Sequence, residues 1–143
     1  MNDVKLIDTN ASNAHTFSMC GYKNIKQTGY QKKIEWNIAQ FEKGMKYKVL
    51  FSEQGGAIGA IEYIPGEFSW RPVNAHGYYF IHCIYIMKKP YKDKSYGVKL
   101  LNSCIEDAKA QKKAGVAVLV RKGSWMASKS LFIKMGFKEV EKV

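Results

Sequence analysis

YYFIHCIYIM at residues 78–87, running into KKPYKDKSYG at 88–97 and VKLL at 98–101, is the stretch whose reading decides the fold. A nearly continuous apolar run bounded by lysines marks a strand buried on both faces, at the centre of a sheet. A long helix is expected next, from about residue 94 to 114. Leu100, Leu101, Cys104, Ile105 and Ala108 line its inner face, while Lys99, Asn102, Glu106, Lys109 and Lys113 point away. Gly115 is expected to stop it, and residues 116–120 read as another apolar strand. Strand, helix, strand is a crossover between neighbouring strands of one sheet.

Outward from that unit the chain is antiparallel in character. Residues 4–7 read as an opening strand, and a short helix is expected near 12–19. Ile34, Ile38, Phe41 and Met45 make one helical stripe over 31–44, with Gly44 as terminator. Residues 47–52 and 57–64 read as strands joined by a Glu53-Gln54-Gly55-Gly56 hairpin turn, and 65–77 as a loop of unusual aromatic and charged content. Ser124 is a candidate N-cap for a helix ending at Met135-Gly136, and 137–140 reads as a last strand. The expectation is a single α/β domain over residues 1–143, ordered β-α-β-β-β-α-β-α-β, with a mixed, mostly antiparallel sheet flanked by helices.

Composition narrows the class. The 143 residues hold 46% hydrophobic and 24% charged side chains, ordinary for a globular domain and unlike a disordered chain. Cys20, Cys83 and Cys104 are too few and too scattered for a disulfide framework or a metal site. No apolar run reaches membrane-spanning length and MNDVKLIDTN lacks a signal-peptide core, so a soluble cytoplasmic protein with no membrane partner is expected. Twenty-three Lys and Arg against twelve Asp and Glu give a net charge of +11, which suits a polyanionic partner. Only Arg71 and Arg121 among them are arginine, which weakens a nucleic-acid reading because base and phosphate forks favour that side chain.

The junction between the central strand and the long helix carries the chemistry. A strand that delivers its end to a helix N-terminus presents unpaired N–H groups and a positive dipole, a cradle for phosphate. Lys88, Lys89, Lys92, Lys94 and Lys99 add cationic field, and Gly97 is expected to let a ligand approach the backbone. Here the sequence resembles the GNAT superfamily of acyl-CoA-dependent N-acyltransferases. Lys92-Asp93-Lys94-Ser95-Tyr96-Gly97 is similar to that family's [QR]-x-x-G-x-[GA] signature, with Lys92 and Ser95 as departures. Leu131-Phe132-Ile133-Lys134-Met135-Gly136-Phe137 is similar to its L-Y-x-K-x-G-F signature. IEYIPGEFSWRPV at 61–73 resembles the GNAT branch often joined to a C-terminal YoaP-like domain, an extension not expected in this chain.

That resemblance implies acetyl-CoA as co-substrate. The backbone of Asp93, Lys94, Ser95, Tyr96, Gly97 and Val98, with Lys92 beside it, would hold the pyrophosphate, and the Ser95 hydroxyl would join that grip. Ile84, Tyr85, Ile86 and Met87 would splay from a neighbouring strand and pair with the pantetheine amides. Ser124 would open the helix flanking the thioester. Phe132 stands where many relatives carry a tyrosine that protonates the departing thiolate, a task phenylalanine cannot perform. Tyr96, Ser124 and Ser128 are the nearby hydroxyls.

A base must still take a proton from the acceptor ammonium. Glu62, in an otherwise apolar strand, and Glu67, in the loop expected over the acceptor cleft, are the catalytic candidates; His76, His82 and Cys83 are the others. His82 and Cys83, as adjacent strand residues, should face opposite ways, and His82 reads as a core histidine. Glu67, Trp70 and Arg71 are the candidate acceptor contacts, fitting an amino acid or small zwitterion. The expected function is acetyl transfer to a small-molecule primary amine by direct attack. A non-catalytic acyl-CoA sensor and, behind it, a basic nucleic-acid-binding protein are the alternatives. With few residues left after Phe137 to complete the sheet, the last strand's edge is expected to be either covered by a partner chain or left open, which favours a homodimer.

Overall fold

The computed structural model describes residues 4–9, 28–52, 56–69, 75–86, 96–119 and 129–138. The elements are β1 (Val4–Asp8), α1 (Thr28–Glu42), β2 (Lys46–Ser52), β3 (Gly56–Pro65), a 3-10 turn (Gly66–Phe68), β4 (Tyr78–Ile86), α2 (Tyr96–Ala110), β5 (Gly115–Val118) and α3 (Lys129–Lys134). The strands form one sheet in the order β1-β2-β3-β4-β5. The first four pair antiparallel, and β5 pairs parallel to β4 through the α2 crossover. The mixed α/β sheet expected from sequence is therefore the observed one.

Alternation along β2, β3 and β4 divides the core between the two faces of the sheet. On one face Leu50, Ile58, Ile61, Tyr63, Ile81 and Ile84 pack with Leu100, Leu101 and Cys104 of α2 and Phe132 of α3. On the other, Met45, Tyr47, Val49, Ala60 and Ile64 pack with Trp36 and Phe41 of α1. β4 is interior to the sheet and buried from Tyr79 to Ile84, as its apolar run requires.

Each helix ends in a residue of left-handed conformation followed by a backward hydrogen bond that satisfies a terminal carbonyl. Gly44 (φ 98°) precedes the Met45 N–H bond to Gln40, and Gly136 (φ 96°) precedes the Phe137 N–H bond to Phe132. α2 departs from expectation. It ends at Ala110 rather than near 114, with Lys112 at φ 57° and the Lys113 N–H bonded to the Ala108 carbonyl. That turn carries Lys113 back over the Tyr79 ring, 5.3 Å from its centroid, instead of out to solvent. Gly115 is the first residue of β5, where an added Cβ would lie 2.9 Å from the Tyr78 ring.

The expected last strand is absent where it can be checked: Phe137 and Lys138 are not in strand conformation, and the Phe137 ring packs on Phe132 instead. The expected helix near 12–19, the hairpin turn at 53–55, and His15 and Cys20 lie outside the described residues. No helix among the described residues is long and apolar enough to cross a membrane.

Candidate functional site

The site is built on β4, because its two neighbours treat it differently. The ladder to β3 runs the length of the strand, from Pro65↔Tyr79 to Gly59↔Ile86. The parallel ladder to β5 ends at Ile81↔Val118 among the described residues. Ile84, Tyr85 and Ile86 follow that last pair, and the stretch of chain after residue 119 that would flank them in a splayed or a continued ladder lies outside the described residues. Gly59 holds that end of β4 close: an added Cβ would stand 2.7 Å from the Tyr85 carbonyl oxygen. Tyr85 is half-buried, its hydroxyl 3.4 Å from that of Tyr47.

A β-bulge sits just past that last β4–β5 pair. Glu62 faces Cys83 and Tyr63 faces Ile81, so His82 and Cys83 together oppose one residue of β3. Strict alternation therefore fails here, and the expectation that His82 and Cys83 face opposite ways does not hold. Glu62 is 4% exposed and so does not face solvent, and His82 is equally buried. The Glu62 carboxylate lies 3.3 Å from His82 Nδ1. Ser69 Oγ lies 3.5 Å from His82 Nε2 on the opposite side of the ring, and Phe80 packs edge-on against it with centroids 5.4 Å apart. Ser69 is fixed by its own backbone, whose N–H closes the 3-10 turn on Gly66.

Glu67, the second catalytic candidate, is placed differently. It is exposed, and its carboxyl is held below the ordinary carboxylate range by its own backbone N–H and that of Gly77, with Lys113 and His76 adding positive charge. A carboxylate so stabilised is a poor base but a sound cation contact. Met87, Lys92, Asp93, Lys94, Ser95, Ser124, Ser128, Trp70 and Arg71 lie outside the described residues. Tyr96, Gly97 and Val98 form the half-buried first turn of α2.

Comparison with known proteins agrees with this architecture. No family model matches the chain. It is 27% identical over 136 residues to an uncharacterized N-acetyltransferase, YoaP, of Bacillus subtilis (strain 168), covering 94% of this chain and 52% of that protein. It therefore spans about half the length of the curated relative it matches. Among solved structures, the aminoglycoside 6'-N-acetyltransferase AAC(6')-Ih from Acinetobacter baumannii superposes with TM-score 0.70 at 15% identity, over 98% of this chain and 94% of that one. A GNAT-family acetyltransferase from Staphylococcus aureus MU50 gives TM-score 0.70 at 14% identity, over 97% and 87%. AAC(6')-Iy, solved with a CoA-S-monomethyl-acetylneamine bisubstrate analogue, gives TM-score 0.73 at 11% identity, over 99% and 95%. The chain has the fold of the GNAT acetyltransferases.

Within this fold two further positions gain a definite setting. Phe132 is 2% exposed and forms an edge-on pair with Phe137 at 5.4 Å, so it is a core residue. Gly97 has a packing duty: an added Cβ would stand 3.2 Å from the Leu131 side chain, where α2 meets α3.

Sequence reasoning missed a second polar cluster on the other face of the sheet. Lys48 Nζ donates to Ser103 Oγ and to Asp107 Oδ2, both at 2.8 Å, and the Tyr63 hydroxyl donates to the same carboxylate oxygen. Burial opposes ionisation of Asp107, yet the bonds from Lys48 and Tyr63 outweigh it and hold the carboxyl below its ordinary range. Burial pushes the Tyr63 phenol and the Cys104 thiol up, so both stay protonated. The signal was an aspartate on the inner stripe of α2, three residues past Cys104. Ser69 was missed as well, and only its place after the Gly66-Glu67-Phe68 turn marked it.

Proposed function

We propose that this chain moves the acetyl group of acetyl-CoA to the primary amine of a small molecule by direct attack of the neutral amine. The observation that carries the reading is the fold, a mixed sheet whose β4 leads toward α2 and pairs parallel to β5, shared with acetyltransferases solved with CoA or a bisubstrate analogue. The residues present fit the co-substrate. Ile84, Tyr85, Ile86 and Met87 would offer backbone groups to the pantetheine amides. Lys92, Asp93, Lys94, Ser95 and the first turn of α2 at Tyr96, Gly97 and Val98 would hold the pyrophosphate with N–H groups and positive charge. Ser124 would flank the thioester.

Acceptor class follows from charge. AAC(6')-Iy and AAC(6')-Ih are aminoglycoside acetyltransferases, but a net charge of +11 disfavours the approach of a polycation within the screening length. A neutral or zwitterionic amine suits this chain better, its ammonium against ionised Glu67 and its carboxylate against Arg71, with Trp70 as an apolar wall.

Thiol release from acetyl-CoA, measured with glycinamide, an amino-acid panel, spermidine and neamine, tests the reading. Turnover is expected with the first two classes and little with the polycations. Separately, coenzyme A at a hundredfold excess over Kd should stabilise the fold by about 2.7 kcal/mol. For a domain of this size that is a rise in Tm of roughly 5–10 °C. Stabilisation without turnover on any amine would establish a non-catalytic acyl-CoA sensor, a reading that the buried, hydroxyl-free Phe132 favours. Absence of both would remove the cofactor assignment.

A further inference from the structure

We propose that Ser69, His82 and Glu62 form a proton relay, in which His82 Nε2 draws the acceptor's proton through Ser69 Oγ while Glu62 holds the Nδ1 edge of the ring. The inference rests on the acetyl-transfer reading and assigns the base which that reading leaves open. His82 and Ser69 carry the proton; Glu62 is a positioning residue.

Order and spacing carry the argument. A carboxylate 3.3 Å from Nδ1 and a hydroxyl 3.5 Å from Nε2 place three exchangeable groups in line through one imidazole. The 3.3 Å contact falls short of hydrogen-bond geometry in the free protein, but the nearby carboxylate favours the tautomer with hydrogen on Nδ1, which leaves the Nε2 lone pair to accept from the Ser69 hydroxyl. The serine contact is long, as such contacts commonly are before substrate binds. Among the described residues, the groups that face the ring include Glu62 from β3, Ser69 beyond the 3-10 turn and the Phe80 ring on β4 itself.

Burial argues against a purely structural pair. Two ionisable groups, each 4% exposed, interrupt strands that are otherwise apolar. Exchanging a buried ionisable pair for apolar side chains is commonly neutral or stabilising, so stability does not explain it. Position does. The bulge that re-aims His82 and Cys83 falls one residue past the last described β4–β5 pair, toward the end of β4 that leads to α2. At its other end the relay reaches Ser69, which leads into the segment holding Trp70 and Arg71. Gly66 pins that turn, since an added Cβ would lie 1.9 Å from the Ala75 carbonyl oxygen.

The proton count closes. The ammonium gives one proton to Ser69 Oγ as the serine's own proton passes to His82 Nε2. The neutral amine forms its N–C bond to the acetyl carbonyl carbon and the C–S bond breaks. The nitrogen loses its second proton to the thiolate, giving amide and thiol, and His82 returns its proton to solvent.

The test follows acetyl transfer to glycinamide across pH for wild type, His82→Gln, Glu62→Gln and Ser69→Ala, alongside the 15N NMR shifts of the His82 imidazole in the free protein. His82→Gln should lower kcat/KM near neutral pH by about 10²-fold. The deficit should shrink steadily as pH approaches that of free-amine formation, because a deprotonated amine needs no base. Ser69→Ala, at a half-buried site, should show the same pH signature with a smaller loss, and serves if His82→Gln does not fold. The wild-type imidazole should carry hydrogen on Nδ1, and Glu62→Gln should weaken that preference. A folded His82→Gln or Ser69→Ala with full activity, or with a deficit constant across pH, overturns the relay and leaves acetyl transfer standing. Hydrogen on Nε2 in the wild type overturns it without reference to activity. A wild type that transfers to no amine overturns acetyl transfer itself, and the relay falls with it.

Discussion

Phe132 shows how one side chain can be read correctly by type and still be given the wrong freedom. Its identity, phenylalanine where relatives carry a tyrosine, was plain in the sequence; its burial at 2% was not. Phe132→Tyr places a hydroxyl in a packed apolar cluster beside Phe137, and an unsatisfied buried hydroxyl costs about 1–3 kcal/mol. A urea midpoint lowered accordingly is expected, and an unchanged midpoint would mean that the hydroxyl finds a partner. The Lys48–Asp107 pair offers a pH signature. Because the folded-state pKa of Asp107 lies below its unfolded value, its contribution is complete above about pH 4 and is lost as pH falls through the folded value. Lys48→Met should therefore cost roughly 1.5–3 kcal/mol at neutral pH. The gap from wild type should close in acid, which urea titrations along a pH series would show.

Among the elements, the 3-10 turn and the first turn of α2 make the sharpest demands on sequence. Gly66 cannot carry a side chain without displacing the Ala75 backbone, so Gly66→Ala should destabilise by more than about 3 kcal/mol and move Ser69 off His82. A melting curve decides the first, and the His82 imidazole shifts the second. Gly97 is more ambiguous as a probe of cofactor binding. Its Cα faces Leu131, so an aspartate there disturbs the α2–α3 contact whether or not phosphate binds nearby. Lys92→Ala avoids that contact. It should reduce the coenzyme A melting shift without abolishing it, since a grip made mostly by backbone N–H groups survives the loss of one cation. A shift that vanishes in Lys92→Ala would mean that the lysine, not the backbone, carries the grip.

For the whole molecule, charge is the property that acts at a distance. A net charge of +11 should draw in an anionic co-substrate and be screened by salt over about 10 Å at 0.1 M. The association rate of coenzyme A, followed by stopped flow, should fall as ionic strength rises, while the rate of the bound complex stays level. A salt-independent association rate would confine the lysines to a solubilising role.

Local pattern determined the β-α-β-β-β-α-β-α order. A buried strand needs a continuous apolar run, an amphipathic helix needs a 3.6-residue stripe, and both are written in consecutive residues. The passage from buried strand to helix was legible for the same reason, with Gly97 falling in the first turn of α2 and the lysines at 88–94 outside the described residues. What lay beyond local pattern depended on contacts far apart in the chain. The bulge that turns His82 toward Glu62 exists only in the register of β4 against β3. The end of α2 at Ala110 was set by the turn at Lys112 that returns the chain to Gly77, not by the glycine farther on. Lys48 meets Asp107 across 59 residues, and Ser69 meets His82 across 13. Spacing along the chain fixes which face a side chain takes, but its partner across the sheet is decided by pairing and packing, which only the tertiary structure contains.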